Sequence, residues 1–324
     1  MLKDLLEQKK CFKLICGAGN EDLQEVEKLV ALYAKAGCRF FDLCASEEVL
    51  NAAQKGLDYS VPKVEQSDYS FCVSVGIKGE PHLNKVKIDN KQCKECKKCI
   101  KVCPQDAISK KIKIKEEKCI GCLRCLKVCK YGAIEIYQKN KPLEEILGPL
   151  FAVQPSPFVC LELHASGDDE ADVAQRWNYI QENFDGMLSI CIDRSKLGNE
   201  AILKRIKKLI SARKPYTTII QADGAPMSGG EDDFKTTLQA VAMAEVFQNA
   251  KLPVYLLLSG GTNSKSTQLS KLCGIGVNGV SVGSYARKIV KKYIEREDFL
   301  QNEEVFNEAL KIAQTLIDST INPA

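Results

Sequence analysis

The sequence contains very little histidine or tryptophan and no long apolar segment. Only two histidines and one tryptophan occur among the 324 residues, and aromatic residues make up 7% of the chain. No stretch approaches the roughly 20 apolar residues that a membrane-spanning helix needs. The first ten residues, MLKDLLEQKK, include Asp4 and Glu7 and lack the apolar run of a signal peptide. We therefore expect a soluble, cytoplasmic protein without a membrane span.

Cysteine, in contrast, is abundant, with 16 residues in the chain. Without an export signal, this number indicates metal or redox chemistry instead of a disulfide framework. Eight of the cysteines form two groups with the same C-x2-C-x2-C-x3-C spacing, which is that of bacterial ferredoxins that bind [4Fe–4S] clusters. The groups are Cys93, Cys96, Cys99 and Cys103, and Cys119, Cys122, Cys125 and Cys129.

The two groups lie within an internal repeat that has an offset of 26 residues. VKIDNKQC (86–93) corresponds to IKIKEEKC (112–119), and KVCPQDAI (101–108) corresponds to KVCKYGAI (127–134). Each half is too small to enclose a core of its own, so we expect the halves to pack together around two clusters. Tandem structural zinc is the alternative, but three cysteines at this spacing fit one cubane better than separate tetrahedral sites.

Residues 86–137 resemble a bacterial two-cluster ferredoxin, in which the fourth cysteine of each run ligates the other cluster. The resemblance implies two [4Fe–4S] clusters with crossed ligand sets. Cluster one would be bound by Cys93, Cys96, Cys99 and Cys129, and cluster two by Cys119, Cys122, Cys125 and Cys103. Lys130 stands where the ferredoxin pattern has a proline, which removes no ligand.

Basic residues are concentrated around these cysteines. From Lys85 to Lys130 there are 15 Lys/Arg and 5 Asp/Glu, a surplus of +10, although the whole chain carries only +4. Oxidised clusters with four thiolates each would offset part of this charge, and the remainder favours an acidic electron-transfer partner. Nucleic acid is the weaker interpretation, because Tyr131 and Tyr137 are the only aromatic residues of the sequence from 85 to 138.

Outside the cysteine segment, apolar strands alternate with amphipathic helices. We predict strands at residues 12–17, 40–46, 69–76, 158–166, 186–193, 216–224, 252–261 and 277–284, each followed by a helix. Asn20 is the predicted N-cap of the first of these helices. Eight such units fit a closed (β/α)8 barrel, and a doubly wound open sheet is the alternative because strand count does not prove closure.

The predicted fold is therefore an α/β, TIM-barrel-like body with a ferredoxin-like domain inserted after the third strand. Residues 1–84 would form the first part of the barrel, residues 85–138 the two-cluster domain and residues 139–324 the remainder. Loops after barrel strands lie at the surface, where an insertion of this size is tolerated.

The predicted loops after the last two strands contain a candidate phosphate-binding set. Barrels often bind a phosphate at this position, where backbone N–H groups and a helix N-terminus meet. The residues are Gly260, Gly261, Gly283, Ser284 and Arg287. A flavin or a phosphorylated ligand would suit them, and the alternative is that the glycines only form tight turns.

Acidic residues also gather at the predicted strand ends, but no metal or nucleophile motif links them, so the catalytic residues stay unknown. They are Asp42, Glu162, Asp193 and Asp223, with His164 nearby. Residues 223–230 are expected to form a loop over the barrel mouth. Among the other eight cysteines, Cys16 and Cys44 at strand ends are the best redox candidates.

Four further segments accompany the two cysteine runs, namely KLICGAGNEDL (13–23), FDLCAS (41–46), ADGAPMSGG (222–230) and LSGGTN (258–263). Together with the cysteine runs they give a resemblance to the cyanobacterial LdpA family that covers essentially the whole chain. This resemblance implies an iron–sulfur protein that senses cellular redox state and adjusts the circadian period to light, in contact with clock-input or redox components.

A redox sensor is thus expected in preference to an enzyme. The alternative is an iron–sulfur oxidoreductase that passes electrons from the clusters to a flavin or a phosphorylated substrate in the barrel mouth. The charge and spacing of the residues do not choose between the two, and the preference for a sensor comes from the family resemblance.

Overall fold

The computed structural model describes residues 1–17, 19–78, 84–138, 141–224 and 230–322. The strands are β1 (Cys11–Ile15), β2 (Phe40–Cys44), β3 (Ser70–Val75), β4 (Asn84–Ile88), β5 (Ile134–Gln138), β6 (Cys160–His164), β7 (Met187–Ile192), β8 (Thr218–Asp223), β9 (Tyr255–Ser259) and β10 (Gly279–Val282). All of these except β4 and β5 are parallel and close into a barrel in the order β1-β10-β9-β8-β7-β6-β3-β2. The predicted barrel is therefore confirmed, and the pairing of β1 with both β2 and β10 excludes an open sheet.

The helices that follow the barrel strands form an outer layer. The helices are α1 (Leu2–Glu7), α2 (Leu23–Lys35), α3 (Glu47–Ser60), α4 (Lys98–Val102), α5 (Arg124–Val128), α6 (Leu143–Ala152), α7 (Glu170–Asn183), α8 (Asn199–Ile210), α9 (Phe234–Asn249), α10 (Ser266–Leu272), α11 (Ser284–Ile294) and α12 (Glu303–Ile321). Apart from α1, α4 and α5, these helices surround the barrel, and their apolar faces pack against outward strand residues such as Phe41, Leu161 and Ile220 in one large core. Within the described ranges, no helix combines the length and apolar character needed to cross a membrane.

The start of α2 differs from the prediction. Asp22, not Asn20, is the N-cap, and its side chain accepts a hydrogen bond from the backbone N–H of Glu25. Asn20 instead accepts from the N–H of Asp22 at 3.1 Å and donates to the carbonyl of Cys16 at 3.1 Å. An Asx turn at Asn20 therefore precedes the helix, because the short amide side chain can bond the backbone two residues further on.

Helix α1, which was not predicted, covers the N-terminal end of the barrel. Leu2 and Leu6 pack against a buried apolar cluster of inward-facing strand residues. The cluster contains Cys11, Phe40, Cys72, Cys160, Ile219, Tyr255 and Leu257. Three of the cysteines outside the two runs thus serve as small core residues at this end.

Within the segment between β3 and β6, residues 85–138 contain a two-stranded sheet, two short helices and an apolar cluster of their own, and they are here named the cysteine module. Strand β4 pairs antiparallel with β5, and Ile108 forms an antiparallel bridge with Ile114. Left-handed backbone recurs at the 26-residue offset of the sequence repeat, in the pairs Glu95 and Gly121, Lys97 and Leu123, and Asp106 and Gly132. The sequence repeat is therefore also a repeat of backbone conformation.

The loop expected over the barrel mouth falls largely on residues 225–229, which lie outside the described residues. The mouth itself is at the carboxyl ends of the barrel strands, on the side opposite α1.

Candidate functional site

The eight cysteines of the two runs line two separate cavities in the cysteine module. The first cysteine cavity is lined by Cys93, Cys96, Cys99 and Cys129. The second cysteine cavity is lined by Cys103, Cys119, Cys122 and Cys125. Each cavity thus combines three cysteines of one run with the last cysteine of the other run.

Short helices place the third cysteine of each run inside the module. Helix α4 begins after the left-handed residue Lys97 and carries Cys99, and α5 begins after the left-handed residue Leu123 and carries Cys125. The left-handed residue turns the chain so that the helix starts directly beside the preceding cysteine. Both cysteines are buried among the apolar side chains of the module.

The cavities offer thiols in an apolar setting. Burial raises the pKa of the Cys125 thiol to about 11, and it also raises the pKa values of Cys99 and Cys122. A metal that binds thiolates must therefore displace protons here. Among the described residues that line the two cavities, none is a histidine or a carboxylate. Four soft sulfur donors alone fit an iron–sulfur cluster.

The two cavities face different surroundings. Lys94, Lys97 and Lys98 line the first cysteine cavity and are exposed, and Cys96 is exposed as well. The second cysteine cavity faces the barrel, since Ile120 lines both this cavity and the cavity at the barrel mouth. One side chain therefore separates a cysteine cavity from the mouth of the barrel.

Lys85 fastens the cysteine module to the barrel. Its side chain is only 3% exposed, and its ammonium group donates to the carbonyls of Gly19, Glu116 and Cys119 at 3.1, 3.1 and 2.7 Å. Gly19 belongs to the loop after β1, whereas the other two residues belong to the module. A buried ammonium needs such partners, because an unsatisfied charge would carry a large desolvation cost.

Two more lysines connect the module to barrel helices. Lys118 forms a salt bridge with Asp22, the N-cap of α2, at 2.8 Å. Lys291 of α11 donates to the carbonyl of Pro104 at 3.1 Å and pairs with Asp106. The module is therefore attached to both α2 and α11 of the barrel, beside the second cysteine cavity.

The barrel mouth contains a cavity of about 80 Å³. Its lining includes all five residues of the candidate phosphate-binding set, Gly260, Gly261, Gly283, Ser284 and Arg287. It also includes the strand-end residues Asp42, Glu162, His164 and Asp223, together with Cys191. Asp193 is not part of the lining, and its carboxylate accepts from the N–H of Ser195 at 2.6 Å.

Below the mouth, the barrel interior holds a fully buried polar layer that the sequence did not reveal. Its members are at most 3% exposed and are Lys13, Asp42, Ser74, Glu162, Ser189, Gln221 and Ser281. The Lys13 ammonium lies 2.7 Å from a Glu162 oxygen and 3.3 Å from an Asp42 oxygen. The same Glu162 oxygen accepts from Ser189 at 2.7 Å and from Gln221. The feature of the sequence that could have revealed this layer is Lys13, a lysine at an inward-facing position of an otherwise apolar strand.

The charges of this layer are unevenly distributed. Burial opposes the charged forms of Lys13, Asp42 and Glu162. At Glu162, the charges of Lys13 and His164 outweigh this effect of burial and lower the pKa to about 2. The two carboxylates raise the pKa of Lys13 well above its usual value despite its burial. At Asp42 burial prevails and raises the pKa. The layer is therefore organised around a Lys13–Glu162 ion pair, and Asp42 is the group that favours its neutral form.

The thiols near the mouth are not reactive thiolates. Burial and the Asp223 carboxylate raise the pKa of Cys191 well above its usual value, and Cys191 donates to Asp223 at 3.3 Å. Cys16 is fully buried, and burial also raises its pKa. Cys16 therefore does not have the accessible, low-pKa thiol that was expected of a redox cysteine, whereas Cys44 is half-buried.

Gly260 also has a role that was not expected. It has a φ of +67°, and an added Cβ would lie 1.5 Å from Oδ1 of Asp223. The missing side chain therefore makes room for the Asp223 carboxylate, so this glycine positions an acid of the mouth.

Comparisons with known proteins agree with the iron–sulfur assignment. Residues 86–140 match the LdpA Fe-S cluster-binding domain, and residues 153–319 match the Light dependent period A C-terminal domain. A Synechococcus elongatus protein described as Light dependent period A is 28% identical, over 96% of this chain and 90% of its own length.

Similarity to solved structures is weaker and carries no functional information. The (S)-3-O-geranylgeranylglyceryl phosphate synthase of Thermoplasma acidophilum is 10% identical with a TM-score of 0.46, covering 99% of this chain and 98% of that one. Tryptophan synthase from M. tuberculosis is 10% identical with a TM-score of 0.45, covering 98% of each chain. The family match spans more than half of the chain, and the chain therefore belongs to the LdpA (Light dependent period A) family and is an iron–sulfur protein.

Proposed function

We propose that this protein is a redox sensor that binds two [4Fe–4S] clusters and relays cellular redox or light state to the circadian clock through protein contacts. Cluster one is bound by Cys93, Cys96, Cys99 and Cys129, and cluster two by Cys119, Cys122, Cys125 and Cys103. The observation that carries this proposal is the presence of two cavities, each lined by one of these two sets of cysteines.

When bound, each cluster supplies one-electron redox chemistry. The module's own residues hold the sulfur ligands and tune them. The backbone N–H of Ala107 donates to Sγ of Cys103 at 3.3 Å, which stabilises negative charge on this sulfur. Lys85 adds a positive charge beside Cys119, through that residue's carbonyl. Both contacts favour the reduced form of cluster two.

Of the two clusters, cluster one is better placed to signal to a partner protein. Its cavity opens beside the exposed Lys94, Lys97 and Lys98. A gain of one electron there reduces the net positive charge of this surface, and the affinity for an acidic clock-input or redox partner falls accordingly. For a one-electron couple, a change of about 59 mV in the ambient potential alters the oxidised-to-reduced ratio tenfold.

An iron–sulfur oxidoreductase is the second candidate function. It is favoured by Ile120, which lines both the second cysteine cavity and the barrel mouth. It is disfavoured by the mouth itself, where Cys191 and Cys16 are held as neutral thiols and Glu162 is committed to Lys13, Ser189 and Gln221.

Metal analysis of anaerobically purified protein tests the cluster proposal. We expect about eight irons and eight sulfides per chain and an electron paramagnetic resonance (EPR) spectrum of two clusters after reduction. Cys129→Ala should remove the same spectral component as Cys99→Ala, and Cys103→Ala should remove the other. Cys273→Ala, an exposed cysteine outside both runs, is the control. Fewer than about six irons per chain, or zinc in their place, would reject two clusters.

The sensing step needs a separate measurement. Wild-type protein and a Lys94→Glu/Lys97→Glu variant are compared for binding to clock-input proteins, each in the oxidised and the dithionite-reduced state. We expect tighter binding by the oxidised wild type and a smaller redox difference in the variant. Identical affinity of both redox states would reject the sensor and favour the oxidoreductase.

A further inference from the structure

We propose that the barrel mouth binds a small phosphate monoester of a polyhydroxy compound, with its phosphate on Arg287, Ser284 and the N-terminus of α11, and that this binding is linked to the redox state of cluster two. The binding is independent of the proposed function, whereas the linkage rests on it.

The first observation is the N-terminus of α11, which opens into the mouth cavity. This helix has 11 residues, and its N-cap, Gly283, provides no side-chain hydrogen bond to the first-turn N–H groups. Gly283 and Ser284 both line the cavity. Free N–H groups and the positive end of a helix dipole attract an anion.

The second observation is the guanidinium of Arg287, which lines the same cavity. Arg287 is 9% exposed, and Nη1 donates to the carbonyl of Cys16 at 2.8 Å, which fixes the orientation of the group. Its buried Nε has no hydrogen-bond partner within the described part of the chain. A buried guanidinium with unused N–H capacity and a fixed plane suits a phosphate, which accepts bidentate hydrogen bonds.

Another part of the cavity lining indicates what the phosphate is attached to. Asp223 and His164 lie there, and a carboxylate accepts hydrogen bonds from hydroxyl groups. A second anionic group would be repelled there, so an uncharged polyhydroxy chain fits better than a carboxylic acid. The cavity of about 80 Å³ is small compared with the roughly 300–1,000 Å³ of pockets for drug-sized ligands, which favours a short carbon chain over a flavin.

Ile120 places such a ligand beside cluster two, because this side chain lines the mouth cavity and the second cysteine cavity. A bound dianion opposes the addition of an electron to the cluster. At a separation on the order of 10 Å with water-like screening, this repulsion weakens binding about fourfold upon reduction. By reciprocity, the ligand lowers the midpoint potential of cluster two by the equivalent amount, about 35 mV for this fourfold change.

Binding of inorganic phosphate and of glycerol 2-phosphate to anaerobically purified protein tests the site, with glycerol as the unphosphorylated control. We expect saturable binding of both phosphates and none of glycerol. Arg287→Gln should weaken binding at least about tenfold. Ser284→Asp should do the same without destabilising the fold, because an acidic residue is favourable in the first turn of a helix.

Arg176→Gln is the matched control, since Arg176 also donates to a backbone carbonyl, that of Gly76, but lies outside the mouth cavity. Equal affinities in the Arg287 and Arg176 variants, or no binding by the wild type, would overturn the site. The linkage is measured as the affinity of the oxidised and the reduced wild type. Binding that is unaffected by reduction in a protein with full iron content overturns the linkage alone, whereas missing iron rejects the proposed function.

Discussion

Replacing Lys85 with methionine tests the junction between the cysteine module and the barrel. The ammonium group of Lys85 donates to three carbonyls at 2.7–3.1 Å and is 3% exposed. Methionine retains much of the aliphatic volume but donates no hydrogen bond. A hydrogen bond to a charged group contributes about 1.5–3 kcal/mol, and the three bonds here share one donor. We therefore expect the free energy of unfolding to fall by about 2–4 kcal/mol.

The same substitution should change the potential of cluster two. The ammonium group contacts the carbonyl of Cys119, which is a proposed ligand of this cluster. Loss of one positive charge at a separation on the order of 8 Å destabilises the reduced state by about 0.5–2 kcal/mol, for an effective dielectric constant of about 80 to 20. For a one-electron couple this corresponds to a fall in midpoint potential of about 20–90 mV.

Lys87→Met is the control, because Lys87 lies on the same strand but is exposed and, among the described residues, forms a surface ion pair with Glu135 at 2.9 Å. Thermal unfolding and anaerobic redox titration followed by EPR are measured for both variants. We expect a lower melting temperature and one lowered midpoint for Lys85→Met, and little change for Lys87→Met. Equal changes in the two variants, or a midpoint that rises, would refute the reasoning.

Three further predictions concern the barrel. Lys13→Met should lower the free energy of unfolding by about 3–5 kcal/mol, because it leaves a buried carboxylate unpaired, whereas Lys10→Met at an exposed position should have little effect in the same thermal scans. The pKa of Glu162 is lowered from 4.5 to about 2, so its stabilising contribution is present above pH 4.5 and is lost as the pH falls towards 2. The stability difference between wild type and Glu162→Gln, followed by fluorescence of the single tryptophan, should therefore shrink over this range, and a constant difference would contradict the assignment. Gly260→Ala should lower the melting temperature more than Gly274→Ala, because both glycines have positive φ but only the first would place a Cβ 1.5 Å from a carboxylate oxygen. Equal losses would show that backbone strain alone matters at Gly260.

Local sequence was sufficient to predict a strand or a helix where the contacts that stabilise it are also local. Each barrel strand is a mainly apolar run, so all eight were located. The N-cap of α2 was misassigned because Asn20 and Asp22 have similar capping preferences, and the choice depends on whether Asn20 also reaches the carbonyl of Cys16. Helix α1 was missed because its leucines gain their partners only from the closed end of the barrel.

The candidate mouth site was predicted only in part. The five residues proposed for phosphate lie on loops that every barrel brings to one end, and they do line one cavity. The role of Gly260 could not be predicted, because it depends on Asp223 of the neighbouring strand. Cys16 looked like a reactive thiol at a strand end, but its reactivity depends on burial by residues distant in the chain.

By itself, the sequence determined the two cysteine runs, the internal repeat and the alternation of strands and helices, because spacing and hydrophobic periodicity are local properties. Only the tertiary structure decided that Lys13 pairs with Glu162, 149 residues away, and that Ile120 separates a cysteine cavity from the barrel mouth. Such contacts arise when the barrel closes and the module attaches to its rim. They depend on the relative positions of distant segments, which no local pattern in the chain records.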